Sequence, residues 1–275
     1  MDIEQLRLVI ERALKEDVDQ GDVTSMWTLP PDTIARGRIV AHEAGAVAGI
    51  AVAQEVFRRV NALIAFTPLM SDGAEVFVGD ELAAVVGPAT GVFTAERTAL
   101  NFVERMSGIA TLTRRFVDAV ACTPATILDT RKTLPGWREL EKHAVACGGG
   151  TNHRIGLYDM VLIKDNHLAA AGSVTTAFEA CRDAGVPVEV EVIDFAQLCE
   201  ALDAGAKRIL LDNMTLFQMR RAVLLSQRRA QLEASGNITL RRVRAVAETG
   251  VDYISVGAIT HSAPATDIAL DLLSG

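Results

Sequence analysis

From Ile3 to Leu14 the apolar residues fall at Ile3, Leu6, Val9, Ile10, Ala13 and Leu14, a stripe with the period of a helix. Residues 20–90 read differently. Gly, Pro and Asp punctuate short β-rich runs such as 38–42 and 82–86, and one helical segment, about 51–63, interrupts them. Strands and helix without regular alternation predict an α+β domain. A long helical pattern then runs from Thr94 to Ala121. Thr94 suits a helix start, and Ser107-Gly108 predicts a break or kink in the middle. A domain boundary is drawn there, dividing 1–108 from 109–264.

After residue 125 the rhythm becomes short apolar strand, polar loop, amphipathic helix, repeated. Strands are predicted at 126–129, 161–164, 188–191, 209–212, 231–234 and 253–256, with helices at 174–184, 196–203 and 240–248 among those between them. Repeated βα units imply parallel strands and right-handed crossovers. Lys164, Glu191, Asp212, Ser235 and Gly257 close successive strands, and the last three intervals are 21, 23 and 22 residues. Six strands are too few for a closed eight-stranded barrel of about 250 residues. An incomplete TIM-like α/β barrel or an open doubly wound sheet fits better, and both place ligands at the carboxyl ends of the strands.

Charge changes the picture. The 275 residues carry 27 basic and 35 acidic side chains, a net charge of −8. Nucleic acid and membrane surfaces are therefore disfavoured as partners, and an anionic ligand must be held by a local cluster against the global field. The apolar run 44–53 is far short of the roughly 18 residues of a membrane span. The acidic start, Met1-Asp-Ile-Glu-Gln, is unlike a signal peptide. Cys122, Cys147, Cys181 and Cys199 show no close metal or redox spacing, so reduced thiols and a cytoplasmic location are expected.

The chemistry gathers near the strand ends. Thr130, Arg131 and Lys132 leave the first predicted barrel strand, and His153-Arg154 follow the triple glycine 148–150. A solvated loop pair and a helix cap with a turn explain these two groups equally well. Lys164, directly after Val-Leu-Ile, needs an acid or anion beside it; Asp129 and Glu191 are both candidates. Glu191 and Asp212 end consecutive strands and should lie side by side. Such a pair binds a divalent cation, accepts bonds from a diol or shares a proton, although Asp212 could instead cap a helix. Ser235-Gly236-Asn237 and Ser255-Val256-Gly257 follow the last two strands. They read as tight turns or as a phosphate cradle. Together these features suit two anionic substrates, one a sugar phosphate. Two rivals remain: a Schiff-base lyase using Lys164, and a non-catalytic phosphometabolite-binding protein.

Several ordered segments carry a resemblance. They are 97–101 (RTALN), 129–133 (DTRKT) with Pro135-Gly136, Glu141-Lys142, Cys147-Gly-Gly-Gly-x-Asn-His-Arg154, 156–159 (GLYD), 162–167 (LIKDNH), 189–191 (EVE), 211–213 (LDN), 233–236 (EASG) and 255–257 (SVG). The sequence resembles the quinolinate phosphoribosyltransferase family from about residue 5 onward. The resemblance implies an N-terminal α/β sandwich and an incomplete barrel of six or seven strands, with 265–275 packing back on the sandwich. It implies that quinolinate is held by Arg97, Arg131, His153, Arg154 and Lys164. Lys132, with Thr130 beside it, and Lys164 also face pyrophosphate. Glu191 and Asp212 take ribose hydroxyls or Mg2+, and Ser235, Gly236, Asn237, Ser255, Val256 and Gly257 hold the 5′-phosphate. Lys132, Lys164, Glu191 and Asp212 are the expected catalytic set. A homodimer or larger assembly is also implied, Arg97 entering the neighbour's site.

Overall fold

The structure, a computed structural model, describes residues 3–273. The chain begins with α1 (Ile3–Asp17), α2 (Val23–Thr28), β1 (Ile34–Ala41), β2 (Gly45–Ala46), α3 (Ile50–Val60), β3 (Ala65–Pro68), β4 (Glu75–Val76), β5 (Glu81–Pro88) and α4 (Ala89–Ala119). It continues through β6 (Thr126–Leu128), α5 (Arg138–Cys147), β7 (Val161–Ile163), α6 (Asp165–Ala171), α7 (Val174–Ala180), β8 (Val188–Val192) and α8 (Phe195–Asp203). It ends with β9 (Arg208–Asp212), α9 (Leu216–Ser226), β10 (Gln231–Ser235), α10 (Leu240–Ala247), β11 (Tyr253–Ser255), α11 (Ala258–His261) and β12 (Ile268–Leu272).

Two compact units emerge. The first comprises Met1–Arg114, Leu134–Gly149 and Ala263–Gly275, the second Arg115–Thr133 and Gly150–Ser262. This division differs from a cut at residue 108. The helix α4 starts five residues before Thr94 and runs without interruption through Ser107 and Gly108. The expected break is absent because both residues serve packing. The Ser107 hydroxyl accepts from the Ala48 N–H at 3.0 Å, and a Cβ at Gly108 would lie 1.9 Å from the Pro264 carbonyl oxygen.

In the first unit an antiparallel sheet runs β12-β1-β5-β3, and β2 pairs with β4 in a small ribbon. The C-terminal strand joins this sheet with Ile39 opposite Leu270. Ile39, Leu82 and Val85 from the sheet and Val52, Phe57, Val103 and Met106 from α3 and α4 are buried. Burying such side chains stabilises the fold by about 1.5–3 kcal/mol each, before entropy is counted. The helix α5 is not evident from periodicity because Glu141 and Lys142 on it are buried charges. Arg105 donates to Glu141 at 2.7 Å.

In the second unit six parallel strands follow the order β6-β11-β10-β9-β8-β7. Each strand pairs with its successor in sequence except β6 and β7, so the barrel is open between its first and second strands. At that seam Thr151 bridges to Leu128, donating to the Ile127 carbonyl and accepting from the Asp129 N–H. The observed strands lie within two residues of those predicted.

Candidate active site

Side chains alternate sides along each barrel strand. One set comprises Leu162 and Lys164, Glu189 and Glu191, Leu210 and Asp212, Glu233 and Ser235, and Ser255 and Gly257. All of these except Glu189 line a single cavity of about 860 Å3, ample for metabolite-sized ligands. The intervening Val190, Ile209, Leu211, Leu232, Ala234 and Ile254 are buried on the opposite face. This alternation corrects the expectation for Val256. It falls on the wrong side of the pleat, is 1 % exposed, and spends its N–H on the Leu128 carbonyl at 2.9 Å.

Thr130, Arg131, Lys132, His153 and Arg154 enter the same cavity from loops. The Thr130 hydroxyl accepts from the Lys132 N–H at 3.1 Å, and Thr260 donates to the Lys132 carbonyl at 2.7 Å, so the Lys132 backbone is held through both its polar groups. Gly257 leaves room for the Lys132 side chain, whose Cδ would lie 3.0 Å from a Cβ there. The Arg154 guanidinium donates to the Met160 carbonyl at 3.0 Å, and Asp159 accepts from the Ile155 and Gly156 N–H groups, closing that loop. Burial, and then the charge of Arg131, lower the pKa of Arg154. It stays protonated in any case. The two guanidinium groups therefore repel each other, and an anion between them relieves that repulsion.

Lys164 is paired with Glu191 rather than Asp129. Asp129 is fully buried and accepts from the His153 N–H at 2.7 Å. Asp212 does not cap α9, whose cap is Thr215. Its carboxylate accepts from the Asn213 amide at 2.8 Å and faces the cavity.

Beneath this layer lies a charged floor that the sequence did not reveal as a unit. Arg208 donates to Glu189 at 3.0 Å and to Glu233 at 2.6 Å, and stacks 4.5 Å over the Tyr253 ring. His153 Nε2 lies 2.9 Å from Glu189 and 3.5 Å from Glu233. Its Nδ1 accepts from the Arg154 N–H at 2.7 Å. Both ring nitrogens are thus engaged within the protein. The ring thereby braces the loop that carries Arg154, while His153 also lines the cavity. Burial, followed by the charge of Glu189, pushes Glu233 up to about 7. Burial also opposes ionisation of Glu189, but the bonds from His153 and Arg208 prevail and its pKa is lowered.

At the far rim, Ser235, Gly236, Asn237, Ser255 and Gly257 line the cavity together with Ile238, Thr239, Ala258 and His261, which sequence reading had not assigned to it. Gly236 has φ +94° and a Cβ there would meet Asn213 Oδ1 at 2.2 Å, so only glycine fits. Asn237 is also left-handed, at φ +52°. The helices α7, α8 and α9 start with a side-chain cap, whereas α10 and α11 have none, and both begin on this cavity. Unsatisfied N–H groups at helix starts attract anions. Arg97 lies in the first unit with its side chain 60 % exposed, 3.7 Å from Glu104, and does not line this cavity.

Comparison with known proteins agrees with this geometry. Residues 22–107 match the model of the quinolinate phosphoribosyl transferase N-terminal domain, and residues 109–271 that of the C-terminal domain. The chain is 48 % identical to the nicotinate-nucleotide pyrophosphorylase [carboxylating] of Mycobacterium leprae, over 97 % of this chain and 96 % of that protein. It is 44 % identical to the chloroplastic enzyme of that name from Oryza sativa subsp. japonica, over 97 % and 77 % of the two chains. Among solved structures, NadC from Streptococcus pyogenes superposes with a TM-score of 0.95 at 37 % identity, covering 100 % of this chain and 99 % of that one. The nicotinate-nucleotide pyrophosphorylase of Francisella tularensis gives 0.96 at 37 % identity, covering 99 % and 98 %.

Proposed function

This chain belongs to the quinolinate phosphoribosyltransferase family, and from that premise we infer that it transfers phosphoribosyl from phosphoribosyl pyrophosphate to the ring nitrogen of quinolinate, with decarboxylation. The products are nicotinate mononucleotide, pyrophosphate and carbon dioxide, a step of NAD biosynthesis. The observation that carries this reading is one cavity holding Arg131, Lys132, Arg154 and Lys164 beside Glu191 and Asp212.

Arg131 and Arg154 grip the adjacent carboxylates of quinolinate, for which a planar guanidinium fork is suited. Lys164, held by Glu191, lies at the edge of that grip and, with Lys132, faces the pyrophosphate. The turns at Ser235–Asn237 and Ser255–Gly257, with the starts of α10 and α11, receive the 5′-phosphate. The ring nitrogen attacks the anomeric carbon, a carbon–nitrogen bond forms, and the bond to the pyrophosphate oxygen breaks. Glu191 and Asp212 stabilise the positive charge that develops on the ribose. The resulting pyridinium accepts the electron pair left when the adjacent carboxylate departs as carbon dioxide, and that carbon takes up a proton. No side chain needs to act as a nucleophile; positioning and electrostatics do the work.

Mg2+ fits this donor set as a substrate-borne ion. One or two carboxylates suffice for a hydrated Mg2+ that also binds phosphates. Asp212 faces the cavity for that role, whereas Glu191 is committed to Lys164. When bound, the ion would neutralise charge on the leaving pyrophosphate. A Schiff-base mechanism fits less well, because the Lys164 amine is engaged by the Glu191 carboxylate, whereas a nucleophilic lysine must be free to attack a carbonyl. Arg97, exposed on α4, completes the site of a neighbouring subunit in a homodimer or larger assembly. No described helix is long and apolar enough to cross a membrane, and the four cysteines are unpaired. Free thiols are in keeping with a reducing compartment, and we propose a cytoplasmic location.

The test is direct. Incubation with quinolinate, phosphoribosyl pyrophosphate and Mg2+ should give carbon dioxide and nicotinate mononucleotide in equal amounts. Absence of the mononucleotide, or its formation from nicotinate instead, would overturn the reading.

A further inference from the structure

A second cluster of chemically capable side chains lies in the first unit and plays no part in the reaction above. On α5, His143 and Cys147 are four residues apart and so share one helix face. His143 Nε2 lies 3.5 Å from Cys147 Sγ and 2.8 Å from Asp72 Oδ2. The three ligand atoms all lie within 4.8 Å of one another.

The arrangement is held from behind. Asp72 Oδ1 accepts from the Gly49 and Ile50 N–H groups, both at 3.0 Å, so the carboxylate caps α3 with one oxygen and presents the other to His143. Beside it, Gly73 at φ +87° lets the turn approach α5 closely: a Cβ would lie 3.2 Å from the Cys147 carbonyl oxygen. All three ligand residues are half-buried, which leaves an ion an entry path.

We propose that Asp72, His143 and Cys147 form a binding site for Zn2+ or a similar borderline-soft divalent cation, with water in the fourth position. One oxygen, one nitrogen and one sulfur ligand suit zinc, whereas Mg2+ and Ca2+ require oxygen. Tetrahedral zinc with usual bond lengths separates nitrogen and sulfur by about 3.6 Å, close to the distance found. The nitrogen–oxygen pair must open by about 0.6 Å when the metal replaces the bridging proton. His153, Glu189 and Glu233 form another close cluster among the described residues, but Arg208 already neutralises those acids.

Co2+ is the probe, because a thiolate ligand gives it a near-ultraviolet charge-transfer band. Titration of the full-length protein should produce that band at one equivalent per chain, and Zn2+ should abolish it by displacement. Cys147→Ser should lose the band, and His143→Gln should bind Co2+ at least about tenfold more weakly, a loss typical of a removed metal contact. At one equivalent, Zn2+ should raise the melting temperature of the wild type more than that of either variant. Each variant is compared with wild type by circular dichroism, and the two variants report independently should one misfold. No band in the wild type, or a band that survives Cys147→Ser on another thiol, would overturn the assignment. So would unchanged affinity in a folded His143→Gln.

Discussion

Glu233 illustrates how a single residue's chemistry depends on neighbours far away in sequence. It is fully buried, receives one bond from Arg208, and its Oε1 has no hydrogen-bond partner among the described residues. Its folded value of about 7 stands above its ordinary 4.5. Between those values the folded chain keeps a proton that the unfolded chain has released, so this group's contribution to stability falls as pH rises. Glu233→Gln removes that dependence while retaining an acceptor for Arg208. The melting temperature of the variant relative to wild type should therefore improve from pH 5 to pH 8; a difference that stays constant would contradict the assignment. Asp212→Asn tests the opposite end of the cavity. It should weaken Mg2+-dependent turnover more than quinolinate binding, and equal losses in steady-state and binding measurements would count against its role. The rim residues were legible because strands end at them. The floor was not: residues 153, 189, 208 and 233 are brought together only by strand order, and a lone motif residue such as Glu233 carries no sign of its partner.

Elements whose cores are purely apolar were readable almost to the residue. The barrel strands are short apolar runs closed by a polar residue or glycine, and β8 to β11 fall at the expected spacing. Elements stabilised by buried charge were not. The helix α5 hides its inner face behind Glu141 and Lys142, and the edge strands β3 and β12 are short and largely exposed, without the alternation of buried and exposed positions that marks a strand. In α4 the error went the other way, since Ser107-Gly108 looks like a break in isolation. Glycine inside a helix costs about 1 kcal/mol relative to alanine, so Gly108→Ala would ordinarily stabilise. Here the added carbon would meet the Pro264 carbonyl at 1.9 Å. Chemical denaturation should show a loss of about 1 kcal/mol or more, and a gain would refute the packing account.

Across the whole molecule, a net charge of −8 coexists with a cavity where four cationic side chains converge. Composition revealed the first fact and could only require the second; it took the fold to collect Arg131, Lys132, Arg154 and Lys164 from three separate segments. Arg97 belongs to this scale as well, because its proposed function needs a second subunit. Mixing inactive Arg97→Ala with inactive Lys132→Ala should restore partial turnover, since a mixed dimer then contains one intact site. No recovery under conditions that exchange subunits would confine each site to one chain. The central claim is that these cations hold the adjacent carboxylates of quinolinate in the transition state. The most direct test is kcat/KM for quinolinate in Arg131→Ala. Stranding a desolvated carboxylate should cost at least about 2 kcal/mol, a fall of about 30-fold; a value within a few-fold of wild type would contradict the account.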